Sequence, residues 1–567
     1  MKRFPKNFLL LYLIINYSLA SENIPYRNVI YFGDWSVYDK FYPSNMDAKS
    51  ITHINFAFID IDSNGDLKFC DEYADIQIEN NPDTTDDSTY YTGLFGAFSI
   101  LKIKNPHLKL GISVGGWTNS GDFPEVSRDQ VKRQNFASNI AKFIDYLGFD
   151  LVDIDWEHPT VFREGDEHNE GCPGSDEDTE NFTLLMKELR NELDKLEKKN
   201  GKHYELSIAM SAEIEMLKVI EYDKVLQYVD FVNLMTYDLA GSWNSYTSHH
   251  TPLYTNEAYN HKKMYAQNSV DAAINYFKEI YGNSIDYKKI LIGVAAYTRG
   301  WGGVKDDGLD KNNPGLFATA IPNSVIGPDG SSDGSYDFSD YDKMIKEYDL
   351  VEYFDNTAKA TYYYSPTKGY FFTGDNEESV KAKGKYVKEK ELGGLFMWMA
   401  SQDRNNILTK TMFNSLFGED YIIPEEKLIY SVPKINVKIS EVENGYKITM
   451  TNLEKRLETN TVLQYAENLC KVALNFKLYI TTKSKAEFNN EIGKVYTTIT
   501  NENGVGIIDF TYMPNPEKPK TLPPGKDFQF EIGVSGTPNV NDITSIKMTQ
   551  RIFYNLKEFK EQIIYKK

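Results

Sequence analysis

The chain of 567 residues has no excess of basic charge. Its 62 lysine and arginine residues are outnumbered by 82 aspartate and glutamate residues, and the formal net charge is −20. Nucleic-acid backbones and anionic membrane surfaces attract proteins with basic surfaces. The composition therefore argues against nucleic acids and membranes as partners, whereas a neutral ligand remains compatible with it.

Cysteine is also scarce, with three residues at Cys70, Cys172 and Cys470. Their spacing matches no zinc-binding pattern, and we expect neither a metal ion nor another cofactor. An oxidising compartment would allow one disulfide. Cys70 and Cys172 both follow predicted strands in polar loops, so two alternatives stay open: a bridge between them, or three unpaired thiols.

No stretch of the sequence is apolar over the ~20 residues that a transmembrane helix needs. The first 20 residues carry three basic residues near their start, an apolar run from Phe8 to Ile15 and small residues up to Ala20. This is the pattern of a secretory signal peptide that is cleaved after Ala20. The alternative, a membrane anchor, requires a longer apolar run. We therefore expect a secreted, extracellular protein.

Short runs rich in β-branched or aromatic residues alternate with amphipathic segments such as 135–147 and 180–199. The predicted strands are 28–35, 51–60, 108–117, 149–157, 204–213, 229–238, 290–301 and 393–401. Strands separated by helices in this number predict an α/β fold, a closed (β/α)8 TIM barrel. A doubly wound open sheet is the alternative, but the first strand is followed by no glycine-rich phosphate turn.

Two segments are too long for ordinary loops, residues 61–95 and 302–375. The second is long enough to fold as an inserted subdomain. Beyond 418–432, alternating runs punctuated by turn residues predict a C-terminal all-β sandwich. We thus predict a signal peptide at 1–20, a barrel domain at 21–420 with an insertion at about 302–375, and a β-sandwich accessory domain at 430–567.

The most informative stretch is GFDLVDIDWEHPT, at residues 148–160, where a predicted strand carries four carboxylates. Because side chains alternate across a strand, Asp153, Asp155 and Glu157 share one face. We expect that face to point into the barrel and to rise toward its C-terminal mouth, where barrel enzymes carry out their chemistry. Asp150 has the opposite parity and is predicted to be structural.

We call Asp153, Asp155 and Glu157 the acid ladder. Ionising all three carboxyl groups at this spacing costs free energy because the charges repel one another. Like charges at close range keep at least one group protonated, which suits a general acid. A buried salt-bridge cluster is one alternative, but Arg299 is the only obvious cation on the nearby predicted strands. A divalent metal site is another, because an Asp-x-Asp pattern can bind such ions. Acid–base chemistry without a metal is the favoured interpretation.

The pattern from Asp150 to Glu157 resembles the DxxDxDxE signature of glycoside hydrolase family 18, the chitinases and their relatives. Further motifs of that family follow in the expected order. They are SVGG at 113–116, similar to SxGG; MTYD at 235–238, similar to MxYD; YTR at 297–299, similar to YxR; and Trp398 on the eighth strand. The resemblance covers about residues 27–417, and it implies that the insertion is an α+β subdomain that deepens the cleft.

The resemblance also implies a role for each matching residue. Glu157 would protonate the glycosidic oxygen, while the N-acetyl group of the sugar attacks C1 in a substrate-assisted, retaining mechanism. Asp155 would orient the acetamido group and share a proton with Asp153, and Tyr237 would hydrogen-bond the same group. The implied substrate-binding residues are Trp398, Tyr31, Ser113, Gly116, Trp117, Met235, Asp238, Trp243 and Arg299, among which Tyr31 and Ser113 would support Asp153.

Tryptophan is absent from residues 430–567, although the chain has six. Five of the six lie at or beside the C-terminal ends of predicted strands, where flat apolar rings suit the faces of sugars. The sixth, Trp156, has outward parity and is predicted to lie in the core. The absence of tryptophan weakens a chitin-binding role for the accessory domain, and a spacer or interaction role is equally open.

The predicted function is that of a secreted, monomeric, endo-acting chitinase whose partner is chitin or its oligosaccharides. An endo-β-N-acetylglucosaminidase acting on N-glycans would share the acidic signature, and a chitin-binding lectin would share the barrel. Lectins of this kind typically lack the last acid of the signature, whereas Glu157 is present. The tryptophans and the long insertion favour a polymer over a branched glycan.

Overall fold

The structure is a computed structural model. It describes residues 24–78, 93–166, 169–256, 268–306, 311–425, 433–493, 498–510, 521–552 and 555–567. The predicted signal peptide at 1–20 lies outside these ranges. Within them, no helix combines the length and the apolar character needed to span a membrane.

Eight parallel strands form the barrel, and each falls within a run predicted from the sequence or within two residues of one. They are β1 (Arg27–Gly33), β2 (His53–Ile61), β3 (Lys109–Gly115), β4 (Leu151–Asp155), β5 (Glu205–Ser211), β6 (Phe231–Met235), β7 (Ile290–Ala295) and β8 (Gly394–Trp398). Strand β1 pairs with both β2 and β8, which closes the sheet on itself. The predicted (β/α)8 barrel is confirmed.

Helices cover the outside of the barrel. They are Gly93–Lys104, Phe123–Arg128, Gln130–Leu147, Asp178–Asn200, Ile214–Leu217, Tyr222–Val225, Val270–Tyr281, Glu377–Lys390 and Ile407–Phe417. Local signals set their ends. The carboxylate of Asp129 accepts from the backbone N–H groups of Val131 and Lys132, and Gly148 ends the same helix at a φ of 69°.

The alternation predicted for β4 separates two environments. Val152 and Ile154 belong to the large apolar cluster that the outer helices share with the barrel wall. Asp153 and Asp155 lie on the other face and are buried. Register places Ser113 of β3 and Ser207 of β5 directly beside Asp153, so the barrel interior has a polar layer at this height.

An α+β insertion follows β7, as expected. It contains the strands Arg299–Lys305, Thr319–Ile321, Val351–Asp355, Ala360–Ser365 and Tyr370–Thr373 and the helix Tyr341–Tyr348. Its sheet packs around an aromatic core that includes Trp301, Tyr362 and Phe371. The insertion therefore has a core of its own beside the mouth of the barrel.

Two β-sheets follow the barrel, in agreement with the predicted β-sandwich. One joins Ile435–Val442, Gly445–Asn452, Asp527–Val534 and Phe488–Asn489; the other joins Thr498–Glu502, Val505–Asp509, Ala473–Thr482, Ile543–Ile552 and Asn555–Lys566, with Thr521–Leu522 beside Ala473–Thr482. Apolar residues from both sheets form one shared core.

A helix at Thr461–Lys471, which the sequence patterns did not indicate, connects this region to the barrel. Its buried residues Val462, Leu463, Ala466 and Leu469 belong to the same apolar cluster as the barrel wall. Just before it, Glu458 accepts hydrogen bonds from Lys142 and Tyr146 of a barrel helix, at 3.1 and 2.9 Å. The division of the chain near residues 420–430 stays a prediction, because the helix that follows it packs into the barrel.

We expect Leu463→Ala to destabilise the barrel itself, by about 2–5 kcal/mol, because it opens a cavity in the shared cluster. Tryptophan fluorescence during urea unfolding measures this, since all six tryptophans precede residue 399. Leu457→Ala is the matched control, because Leu457 is 68% exposed. An unchanged barrel transition in Leu463→Ala would show that the helix does not support the barrel.

Candidate active site

A cleft of about 1090 Å³ opens at the C-terminal ends of the barrel strands. Ten of the thirteen predicted site residues line it: Tyr31, Trp117, Asp155, Glu157, Met235, Tyr237, Asp238, Trp243, Arg299 and Trp398. The other three, Asp153, Ser113 and Gly116, are buried and do not line it. The structure thus brings residues from six strands and their following loops to one place.

Asp153 forms the lower end of the acid ladder, and hydroxyl groups surround it. Its Oδ2 accepts from Tyr31 and from Ser113, both at 2.7 Å, as the resemblance implied. Its Oδ1 accepts from Ser207 at 2.6 Å and from Asn233 at 3.3 Å. Ser207 and Asn233 were not predicted, although both are polar residues at inward parity on neighbouring strands.

Asp155 and Glu157 form the upper part of the ladder, and the pKa of each carboxyl group is raised. Burial raises the pKa of Asp155 well above its usual value, and the nearby charges of Glu157 and Asp153 raise it further. Burial also raises the pKa of Glu157 to about 7, against the lowering effect of Arg163 and with a further rise from Asp238. The ladder therefore retains a proton at neutral pH.

Arg299, the one cation anticipated near the ladder, binds Asp238 instead. Its Nε and Nη2 donate to the two oxygens of Asp238 at 2.7 and 3.0 Å, and Tyr297 donates to Oδ2 at 2.7 Å. Although burial opposes ionisation, the guanidinium holds the pKa of Asp238 below its usual range. Among the described residues, no lysine or arginine forms a salt bridge with Asp153 or Asp155, which disfavours the salt-bridge interpretation of the ladder.

Tyr237 lies on the cleft wall between these groups. Its ring packs against Tyr297 and Phe396, with centroids 6.2 and 5.8 Å apart. Burial raises the pKa of its hydroxyl well above the usual value, and the charge of Asp155 raises it further, so the phenol stays protonated. Its hydroxyl makes no hydrogen bond within the described part of the chain, and it is available as a donor to a ligand.

Three residues around Glu157 were missed by sequence reasoning. The backbone N–H of Glu157 donates to Ser120 Oγ at 2.9 Å, and His158 Nε2 lies 3.7 Å from Glu157 Oε2. The guanidinium carbon of Arg163 lies 4.1 Å from the ring centroid of Trp117, and Arg163 also donates to the Trp117 carbonyl. Arg163 lies in the two-residue strand Phe162–Arg163, which carries no motif, so nothing in the sequence marks it.

The tryptophans divide between the cleft and the cores. Trp35, Trp117 and Trp243 are 39, 52 and 50% exposed and line the cleft. Trp398 is partly buried against Tyr31, Trp35 and Phe58, and it also lines the cleft. Trp156 is buried in the barrel wall, as predicted from its parity. The expected sugar-facing position of Trp301 is wrong, because the core of the insertion encloses its side chain completely.

Gly116 is required by packing beneath the cleft. Its φ is +82°, and a Cβ atom there would lie 2.6 Å from the ring of Phe58. A side chain would therefore clash as well as strain the backbone. The resemblance implied contact with substrate, whereas the structure gives Gly116 a supporting position under Phe58, which lines the cleft itself.

Two further predictions concern residues outside the cleft floor. Asp150 forms buried salt bridges with Lys102 and Lys202, which agrees with a structural role. Of the two cysteine alternatives, the structure has three unpaired thiols. Cys172 is buried and accepts a hydrogen bond from Trp156 Nε1 at 3.4 Å, so its sulfur is held within the barrel wall.

Similarity to known proteins extends over the whole barrel. The sequence model of Glycosyl hydrolases family 18 matches residues 27–403. Chitinase A1 of Niallia circulans is 31% identical over 440 residues, which cover 72% of this chain and 61% of that protein. Endochitinase 1 of Metarhizium robertsii is 29% identical over 401 residues, covering 70% of this chain and 86% of that protein.

Among solved structures, a glycoside hydrolase family 18 N-acetylglucosaminidase from Paenibacillus barengoltzii is 30% identical to this chain. The match covers 69% of this chain and all of that one, with a TM-score of 0.55. This chain spans about three fifths of the length of Chitinase A1.

Proposed function

This chain belongs to Glycosyl hydrolases family 18, and from that premise we propose that it is a secreted chitinase which cleaves β-1,4 bonds within chitin chains. The observation that carries the proposal is the acid ladder, whose top residue Glu157 lies in a tryptophan-lined cleft with a pKa of about 7. A chitin-binding lectin would not need an acid with a raised pKa at this position. The names of two relatives, Chitinase A1 and Endochitinase 1, agree with the proposal.

The first chemical step is protonation of the leaving group. The carboxyl group of Glu157 donates its proton to the glycosidic oxygen as the C1–O bond breaks. The acetamido carbonyl oxygen of the same sugar attacks C1 and forms an oxazolinium ion, so the substrate supplies the nucleophile. Asp238, the cleft carboxylate held by Arg299, is not free to act as a nucleophile because both of its oxygens are hydrogen-bonded.

Asp155 and Tyr237 stabilise the acetamido group during this step. Asp155 Oδ1 is buried and makes no hydrogen bond within the described residues, so it is available to accept from the acetamido N–H. The Tyr237 hydroxyl donates to the acetamido oxygen. The proton of Asp155 moves to the neighbouring carboxylate of Asp153, which three hydroxyl donors hold in place, so Asp155 becomes negative as the oxazolinium ion becomes positive.

The second step restores the enzyme. The carboxylate of Glu157 accepts a proton from a water molecule, whose oxygen attacks C1 on the face that the leaving group vacated. The oxazolinium ring opens, the acetamido group is regenerated, and Glu157 is protonated again. Two successive inversions at C1 give a product with the configuration of the substrate.

The cleft favours a polymer as substrate. Trp35, Trp398 and Trp117 line the same cleft as Glu157, so several rings are available to stack against sugars. If a chitin chain extends past both ends of the cleft, the enzyme cleaves bonds inside that chain, which is an endo mode. The second candidate function is that of an N-acetylglucosaminidase, because the solved structure of that name is 30% identical to this chain.

Incubation of residues 21–567 with N-acetylglucosamine hexamer tests the proposal. Endo action predicts products of mixed length by mass spectrometry, whereas exo action predicts a single short product. Early products with the β-configuration, measured by NMR, are expected from substrate assistance. Inverted products would contradict the mechanism, and no hydrolysis of the hexamer would contradict a chitinase.

Activity is expected to fall as the pH rises through about 7, because Glu157 must be protonated to act as the acid. Arg163→Gln removes a positive charge that lowers the pKa of Glu157. The alkaline limb of the kcat/KM profile should therefore move to higher pH. Arg128→Gln, at an exposed arginine, is the control. A limb that moves to lower pH, or does not move, would contradict this assignment.

A further inference from the structure

The residue that follows Glu157 is His158, which has no part in the two chemical steps above. It lines the cleft with Glu157, and each of the two side chains is 16% exposed. Its Nε2 atom lies 3.7 Å from Oε2 of Glu157, which is longer than a hydrogen bond. Hydrogen bonds between catalytic groups are often long until substrate binds. His158 is therefore near enough to affect both the ionisation and the orientation of Glu157.

Packing holds the imidazole of His158 in this place. The ring lies edge-on to the ring of Trp117, with centroids 6.4 Å apart. The backbone carbonyl of His158 accepts from the N–H of Val161 at 3.2 Å and from Cys172 Sγ at 3.8 Å. The ring thus has its Nε2 atom next to the Glu157 carboxyl group and its Nδ1 atom buried in the protein.

The imidazole of His158 is neutral at the pH at which Glu157 titrates. Burial and then the charge of Arg163 lower the pKa of His158 to about 4. The pKa of Glu157 is about 7, raised by burial, lowered by Arg163 and raised by Asp238, and the charge of Glu157 in turn raises the pKa of Asp155. A proton available to both side chains therefore stays on Glu157.

The surroundings of the two ring nitrogens decide which of them carries the proton. A neutral imidazole has one N–H donor and one acceptor nitrogen. Nδ1 of His158 is buried and makes no hydrogen bond within the described residues. A proton on Nδ1 would leave a buried donor without an acceptor, and such groups are rare. A proton on Nε2 faces the Glu157 carboxyl group instead, so this tautomer is favoured.

We propose that His158 is a positioning residue for Glu157, whose carboxylate accepts a hydrogen bond from the Nε2–H of His158 in the second step. The inference rests on the proposed function, because it concerns the acid of that mechanism. Once the leaving group has taken its proton, Glu157 is negative and one of its oxygens must face the attacking water. The imidazole N–H holds Oε2, which leaves Oε1 to accept the proton of the water. No proton passes between the two residues.

His158→Phe tests the proposal, because it keeps an aromatic ring and removes the donor. The alkaline limb of the kcat/KM profile for N-acetylglucosamine hexamer should move to higher pH by about one unit, since a carboxylate without its donor is harder to ionise. Turnover at the optimal pH should fall about tenfold, the value of a hydrogen bond to a charged group, with little change in KM.

Two further variants separate this effect from a change in packing. His158→Gln places an amide N–H near the position of Nε2, and its alkaline limb should lie close to that of the wild-type protein. His203→Phe is the matched control, because His203 is a half-exposed histidine that does not line the cleft, and the limb should stay in place. A limb that does not move in His158→Phe, that moves to lower pH, or that moves equally in His158→Gln would overturn the proposal.

Nuclear magnetic resonance of protein with isotope-labelled histidine tests the same contact without hydrolysis. The signals of His158 are those lost in His158→Gln. We expect them to show a proton on Nε2 and to shift as Glu157 ionises near pH 7, and Glu157→Gln should abolish that shift. A proton on Nδ1, or a shift that persists in Glu157→Gln, would overturn the inference. If these signals behave as expected but wild-type protein cleaves no hexamer, the proposed function fails and the contact stands.

Discussion

Replacing Glu157 by glutamine is expected to lower turnover of N-acetylglucosamine hexamer by about 10²–10⁴-fold, the usual contribution of a general acid. Glutamine has the same shape, but its amide neither donates a proton to the glycosidic oxygen nor accepts one from water. The backbone of Glu157 keeps its hydrogen bond to Ser120, so the strand end should be undisturbed. Binding of the hexamer should therefore survive.

Two measurements separate catalysis from folding in this variant. Calorimetry of Glu157→Gln should give a dissociation constant for the hexamer close to that of the wild-type protein. Glu279→Gln, on an exposed helix position, is the matched control and should retain full turnover. If Glu157→Gln hydrolyses the hexamer at near wild-type rate, another residue is the acid.

The second large effect that we expect is on stability, and it concerns Lys383, which does not line the cleft. Lys383 Nζ donates to Asp375 Oδ2 at 2.6 Å and to the Gly293 carbonyl at 2.9 Å, and both charged side chains are fully buried. Asp375 also accepts from the backbone N–H of Ala295 at 3.0 Å. The pair thus ties the end of the insertion to strand β7.

Lys383→Met is expected to destabilise the protein by about 3–5 kcal/mol, because it leaves the Asp375 carboxylate buried without its cation. Chemical unfolding followed by fluorescence measures the loss. Lys385→Met, on the same helix but exposed, is the control and should change stability by less than about 1 kcal/mol.

A double variant identifies the cause. Adding Asp375→Asn to Lys383→Met removes the buried charge, so the double variant should be more stable than Lys383→Met alone. If it is less stable, the loss arises from packing of the lysine side chain and not from the unpaired charge.

The acid ladder was predictable because strand alternation is a local rule. Asp153, Asp155 and Glu157 fall on one face whatever the rest of the chain does, and Trp156 falls on the other. The prediction for Trp301 used a different argument, its position at the C-terminal end of the predicted strand 290–301. It failed because β7 ends six positions earlier, at Ala295, and Trp301 belongs to a separate antiparallel strand of the insertion. Alternation shows which side chains share one face of a strand, but it does not show which core that face packs against.

Partners of the ladder were only partly predictable. Tyr31 and Ser113 were named through the family resemblance, whereas Ser207 and Asn233 lie on strands that carry no comparable signal at those positions. Tyr31 is 122 residues from Asp153, and Ser207 is 54 residues from it. Their contact depends on the relative register of strands that are distant in sequence.

By itself, the sequence indicated the eight strands of the barrel, the acid ladder and the family. Each of these depends on local patterns, namely alternation within single strands and short motifs that follow one another along the chain. Only the tertiary structure decided that Arg299 neutralises Asp238 and that the helix Thr461–Lys471 joins the barrel core. These facts depend on which groups are buried together and how closely charges approach. Burial and charge pairing arise only when the barrel has closed and the insertion and the C-terminal region have packed against it. They therefore cannot be read from a local sequence pattern.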